Sequence, residues 1–286
     1  YLSVLLSINM YQILKKYLPF FLTSLSLIII DLILGEKLSE KLYVFTMVVL
    51  VGGLPHGALD FFILKKQYSG TKFLVSLIVY LVIAAGIFVL FYTNPLIIFL
   101  LFLAYSAFHF GDSDFSKDPL ISRLGWGSLI ISLPLLISTK EALWFTSLFI
   151  QSSDFYDRTL LLIISSAALM CSLYPKDQRL DKIVIVTFYL ITIMTSNIFF
   201  AFASYFTALH SVHHLKGWIP KLNKGTAPIL GLLTIVILGI VAIQITFDII
   251  ESPNQINNVE KNAVYTAITM LGALTVPHMI LINRSK

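Results

Sequence analysis

Phe73–Tyr92 reads FLVSLIVYLVIAAGIFVLFY, twenty residues without a charge. A helix of that length rises about 30 Å, the thickness of a bilayer's hydrocarbon core. Within that core an α-helix satisfies its backbone hydrogen bonds inside one segment, so the run reads as a transmembrane helix. Working outward, comparable apolar segments fall at 18–34, 42–62, 95–111, 123–138, 158–174, 183–196, 198–215, 228–247 and 263–283. The chain is 57% hydrophobic and 12% charged, with a mean hydropathy of +0.88, a balance foreign to soluble domains. The predicted fold is all-α: a polytopic integral membrane helical bundle, one domain over residues 1–286, with about ten transmembrane helices. Eight is the alternative count, and 183–215 could be one bent helix instead of two. Residues 142–150 read as a re-entrant or interfacial piece.

A net charge of +5 and a pI near 9.1 could suggest nucleic acid. Basic cytoplasmic loops explain it with fewer assumptions, because Lys and Arg concentrate on that side of membrane proteins. With ten spans and a cytoplasmic N-terminus, fifteen of the twenty Lys and Arg fall on the inside. Both termini are therefore expected in the cytoplasm. The lone Cys171 allows no internal disulfide. No cleavable signal peptide is expected, and Met10 is a candidate start in a chain that opens at Tyr1.

The histidines carry the functional signal. Four segments hold all six: Pro55-His56-Gly57, Phe108-His109-Phe110, His210-Ser211-Val212-His213-His214 and Pro277-His278. In the ten-span topology the helices bearing His56, His109, His210 with His214, and His278 all run from outside to inside, and these histidines share the inner half of the bundle. An imidazole in hydrocarbon is costly without a partner, so several at one depth point to a metal. Residues four apart share a helix face, so His210 and His214 could meet one ion, as could His210 and His213. Neutral imidazole suits Zn, Cu, Fe and Ni alike. Against this stands the plainer reading, in which each histidine is a hydrogen-bonded packing residue; for His213 and His278 taken singly the two readings balance.

Pro55 and Pro277 precede histidines and kink their helices, while Gly52, Gly53 and Gly57 admit either a close backbone or a flat ligand. Asp60 follows His56 by one turn and is placed to accept its ring proton. Asp112 and Asp114 could each orient an imidazole or cap a helix end in solvent, and for Asp114 the solvated end is the expectation. Asp31 lies within a span near the outer face, away from the histidines. The aromatics near the histidines, among them Phe108, Phe110, Phe202, Tyr205 and Phe206, would wall a tunnel or simply pack.

The blocks Gly53-Leu54-Pro55-His56-Gly57-Ala58-Leu59-Asp60, Phe108-His109-Phe110-Gly111-Asp112, His210-Ser211-Val212-His213-His214 and Thr275-Val276-Pro277-His278-Met279 resemble the Brp/Blh family of bacterial and archaeal membrane β-carotene 15,15′-dioxygenases. The resemblance covers about residue 50 to the C-terminus. It implies an Fe(II) cofactor, β-carotene and O2 as substrates, two all-trans-retinal as products, a multi-pass location in the cell membrane and a functional link to a microbial rhodopsin. By motif the iron ligands fall on His56, His109, His210 and His214. Asp60, Asp112, His213 and His278 stand as supporting residues around them, and no side-chain nucleophile or general base is expected.

Other classes compete. His210-x-x-His213-His214 also matches the HxxHH box of membrane diiron enzymes, but those need about eight histidines and this chain has six. A transporter would use proline-broken helices and buried histidines too, yet no histidine marks the outer half. A carotenoid- or rhodopsin-associated accessory protein would need no metal.

Overall fold

The computed structural model describes residues 10–150, 156–175, 177–221 and 259–285, with a few positions between 229 and 239. Among the described residues all regular structure is helical. In chain order the elements are α1 (Met10–Lys16), α2 (Leu18–Leu34), α3 (Leu38–Gln67), α4 (Gly70–Thr93), α5 (Pro95–Asp114), α6 (Leu120–Ile137), α7 (Thr139–Thr146), α8 (Arg158–Ser172), α9 (Arg179–Thr195) and α10 (Ile198–Ser204). A π-helical turn (Tyr205–Ser211), α11 (Val212–Trp218) and, at the C-terminal end, α12 (Val259–Ser285) follow.

Five helices are long and apolar enough to cross a membrane: α3, α4, α5, α6 and α12, in the last over Lys261–Arg284. The pair α1 and α2, bent by 71°, makes a sixth if taken as one span. The expected segments at 18–34, 73–92 and 95–111 coincide with α2, α4 and α5 to within a few residues. The expected 42–62 is shorter than α3, since Glu40, Lys65 and Lys66 end an apolar run without ending the backbone ladder. The span expected at 228–247 lies almost wholly outside the described residues. Over 183–215 the chain is not one bent helix: α9 ends, and after a break α10, the π turn and α11 follow one another without interruption. The break comes at Ser196 and Asn197, where the Asn197 side chain accepts from Phe200 N–H at 2.9 Å and starts α10. Residues 139–146 form the short α7, a single helix of two turns.

Small residues set how closely the helices cross. A Cβ on Gly111 of α5 would lie 1.8 Å from the Arg123 carbonyl oxygen of α6, and one on Gly127 of α6 would lie 1.8 Å from the Ala107 carbonyl oxygen of α5. The two backbones therefore meet through reciprocal glycines, as lipid-embedded helices do where van der Waals contact drives association. α12 packs on α3 and α4, while α4 leaves Leu74, Ile78, Leu81, Val82 and Val89 exposed, the face a bilayer would cover. Trp126, Tyr189, Phe200 and Tyr205 are fully buried in the centre.

Polar contacts sort the loops into two groups. Lys16 pairs with Asp181 at 2.7 Å, Lys66 donates to the Lys221 carbonyl at 2.7 Å, and the buried Lys182 pairs with Asp118. At the other end Asp31 takes Lys41 at 2.9 Å and Asn197 at 2.5 Å, and Glu141 accepts from Ile198 N–H at 2.9 Å. The first group joins loops that the charge count assigned to the inside, the second joins loops that it assigned to the outside. Asp31 accordingly lies away from the histidines, as expected.

Candidate active site

Four helical stretches bring their histidines together. His109 comes from the end of α5, His210 from the π turn, His214 from α11 and His278 from α12. Their rings form a chain: His210 and His109 have centroids 4.8 Å apart, His109 and His278 5.1 Å, and His278 and His214 5.0 Å. All four are buried. His56 lies on the same face of the bundle by its place in α3, after Pro55; its side chain falls outside the described residues.

The π turn helps to set His210. It wraps one extra residue into the turn, a feature that recurs at functional sites. Ser211 on this turn donates to the Gly52 carbonyl of α3 at 2.6 Å, and a Cβ on Gly52 would lie 2.3 Å from Thr207 Cβ. Gly52 therefore permits the close approach of α3, which is the backbone role anticipated for it. Gly57 differs: a Cβ there would meet only Leu274 Cδ1 at 3.8 Å, and the residue lines open space beside His278.

Two carboxylates orient the rings. His210 Nδ1 donates to Asp114 Oδ1 at 2.9 Å, and His278 Nδ1 donates to Asp60 Oδ1 at 2.7 Å. With Nδ1–H committed, each Nε2 carries the lone pair, the arrangement found behind metal-binding imidazoles. Asp114 also takes the hydroxyl of Tyr205 and the indole N–H of Trp126, at 3.3 Å for the latter, and Asp60 takes the Tyr80 hydroxyl at 2.7 Å.

One expectation changes here. Asp114 is not at a solvated end: its side chain is 1% exposed and braces His210. The helix α5 runs three residues past the apolar segment and folds its polar end inward against Trp126 and Tyr205. Asp60 accepts from His278, 218 positions away, a partner that local spacing did not offer; the His56 side chain that spacing had suggested lies outside the described residues. The remaining supporting residues fall elsewhere. Asp112 forms an ion pair with Arg123 of α6, and His213 is exposed at the rim of a polar recess that also reaches Asp112, His109 and His214. Tyr80 and Trp126 escaped the sequence reading, and Tyr205 entered it only as a wall or packing aromatic. The signal for Tyr80 was present, since a phenol in mid-span needs a partner for its hydroxyl.

The donor set was tested against a metal. Among the described residues no three His, Cys, Asp or Glu side chains already surround a common point at binding distance. The chemistry of the donors nonetheless fits an ion that takes imidazole. His109 Nε2 and His210 Nε2 face each other at 3.2 Å, and two nitrogens bound at right angles to one ion, with bonds of about 2.1 Å, would lie about 3 Å apart.

Two cavities adjoin the rings. One, lined by Gly53, Gly57, His109, His210, Leu271 and His278 among others, is the histidine chamber. The other is a partly open apolar recess, walled by side chains such as Phe45, Ile130, Pro134, Phe145, Phe199 and Phe202. Phe102, Ser106, Phe110 and Phe202 border both. The aromatics singled out earlier thus divide: Phe110, Phe202 and Phe206 wall these spaces, while Tyr205 is packed behind His210 as a hydrogen-bonding group.

Residues 46–284 match the family model for beta-carotene 15,15′-dioxygenase. The chain belongs to that family. A beta-carotene 15,15′-dioxygenase from an uncultured marine bacterium, 66A03, is 29% identical over 250 residues, covering 81% of this chain and 89% of the relative. No solved structure matches the chain. The family match spans all four histidine blocks, so the dioxygenase reading made from those blocks holds for the family and the class of enzyme. As a member of the beta-carotene 15,15′-dioxygenase family the chain joins an apolar cavity to a buried cluster of imidazoles, the two parts that cleavage of a hydrocarbon by O2 calls for.

Proposed function

We propose that this protein cleaves the central 15,15′ double bond of β-carotene with O2, giving two molecules of all-trans-retinal. One oxygen atom goes to each carbon of the broken double bond, so no other reductant is consumed. The observation that carries the reading is the buried chain of imidazoles beside an apolar cavity, in a member of the β-carotene dioxygenase family. His56, His109, His210 and His214 would hold Fe(II), with His278, backed by Asp60, as a fifth donor at the same depth. Bound there, a ferrous ion would supply the one-electron chemistry that lets O2 react with a closed-shell alkene.

The protein's own part is positional. Asp114 and Asp60 hold the Nδ1 protons of His210 and His278, which keeps both Nε2 atoms available. The polyene offers no polar handle, so orientation must come from shape and from aromatic walls such as Phe110, Phe202 and Phe206. A site within the bilayer admits a hydrocarbon directly from lipid, and exclusion of water protects the reaction from side products. The same proposal includes a multi-pass location in the cell membrane with both termini cytoplasmic, and delivery of retinal to a rhodopsin.

Anaerobically purified protein, assayed for bound iron and then for retinal release from β-carotene with O2, tests the reading. His56→Ala and His214→Ala are the companion variants. About one iron per chain, retinal from the unsubstituted protein and none from either variant is the expected result. Iron-loaded, folded protein that leaves β-carotene intact would return the case to a transporter or an accessory protein.

A further inference from the structure

The wall shared by the two cavities contains one small side chain among three phenylalanines. Ser106 lies on α5 one turn before His109, in the row Phe102, Ser106, Phe110, and all three border both the histidine chamber and the apolar cavity. Phe202, the third phenylalanine of that wall, is stacked on Phe206 with centroids 5.7 Å apart and planes 6° from parallel. Phe110 in turn packs against His210 at 4.8 Å. A serine between two phenylalanines is therefore the least bulky point of the wall that separates apolar space from the imidazoles. Beyond it the cavity continues to Ile131, Pro134 and Leu135 of α6, and Leu103, Ile131 and Leu135 also border a third space between α5, α6 and α8.

We propose that the apolar cavity seats one half of the carotenoid, that Ser106 is a specificity-determining residue whose small size lets the polyene pass to the histidines, and that Leu135 marks how far that half reaches. The inference rests on the carotenoid-cleavage reading and adds where one arm of the substrate lies. A hydrocarbon whose reacting bond is symmetric carries no chemical mark at its centre. The distance from a seated end to the imidazoles is the physical quantity that can select that bond, so the depth of the cavity acts as a ruler. A polar lining would add nothing to this and would cost desolvation, which fits a wall made of Phe, Ile, Leu and Pro side chains.

The test uses full-length protein in detergent or nanodiscs, with three readouts: iron content, carotenoid retained through purification, and retinal formed. Ser106→Phe should keep its iron and lose β-carotene retention, with kcat/KM down by at least about tenfold. Leu101→Phe, on the exposed face of the same helix, should stay within about twofold on all three readouts. Leu135→Phe shortens the far end without approaching the imidazoles. It should impair β-carotene while sparing a carotenoid aldehyde shortened at one end, and it decides the matter if Ser106→Phe does not fold. Ser106→Phe that folds and cleaves β-carotene at the unsubstituted rate overturns the proposal, as does Leu135→Phe that treats long and short substrates alike. If the unsubstituted protein retains carotenoid but forms no retinal, the cleavage reading fails while the seat stands. Loss of retention in Ser106→Phe would still support it.

Discussion

His109 and His210 stand 101 positions apart in sequence and bring their Nε2 atoms within 3.2 Å of each other in the bundle. Two ring nitrogens at that distance must share a proton or a cation, because two lone pairs face to face repel. Asp114 sets one side of that pair from behind: by holding His210 Nδ1–H it leaves His210 Nε2 as the acceptor, whether of a proton from His109 or of a cation.

Replacing Asp114 by Asn keeps the shape and removes the charge that fixes the His210 tautomer. Iron affinity is expected to fall about 10–100-fold, the usual effect of losing a carboxylate behind a metal-binding imidazole. Asp60→Asn should act similarly through His278. Competition with a chelator of known affinity measures both, and unchanged affinity in either variant would remove that carboxylate from the site.

The two histidines that the sequence left ambiguous should separate. His278→Ala is expected to lower iron affinity by at least about tenfold, since its ring lies between His109 and His214 and is backed by Asp60. His213→Ala, at an exposed position, should hold iron within about twofold of the unsubstituted protein. Equal losses would mean that depth alone, and not orientation, governs the cluster.

Lys182 is fully buried and holds Asp118, Ser122 Oγ at 2.7 Å and the Ser172 carbonyl at 2.7 Å, above the ring of Phe115. Lys182→Met strands the Asp118 carboxylate, and breaking a buried pair from one side costs about 3–5 kcal/mol. Denaturant unfolding in detergent should record that loss. The double variant Lys182→Met with Asp118→Leu should recover a large part of it.

Gly52→Val puts side-chain atoms where Thr207 already stands, 2.3 Å from the first added carbon. α3 and the π turn must move apart, at a cost of about 1–3 kcal/mol or more. Because the π turn carries His210, iron content should fall together with the melting temperature. A variant that loses stability but binds iron normally would show that the π turn is set by other contacts.

Iron that binds only the folded bundle stabilises it by mass action, about 2.7 kcal/mol at a free concentration of 100 times Kd. Chelation should therefore lower Tm, and restoring Fe(II) anaerobically should raise it again. In Asp114→Asn the same addition should give a smaller rise.

Much of this protein was legible in one dimension, because a bilayer imposes a one-dimensional rule. A run such as Phe73–Tyr92 can only be helical there, and α4 follows that run closely. The loop groups were legible for a similar reason: the ten-span reading puts fifteen of twenty basic residues on one side, and three of them, Lys16, Lys66 and Lys182, meet partners from loops of that same group. The histidine blocks were visible too, because an imidazole is conspicuous in an apolar run. Pairing was not. Spacing offered Asp60 to His56, one turn away, yet the carboxylate reaches His278 across the bundle. Asp114 looked like a solvated helix end because the apolar run stops at residue 111 and the sequence carries no record of Trp126 and Tyr205 closing over it. Hydropathy and charge, which each residue carries on its own, thus determined the class of fold and the residues capable of chemistry. Which imidazole faces which, and which carboxylate stands behind it, depended on helices separated by up to 218 positions crossing at small residues, and only the tertiary structure decides that.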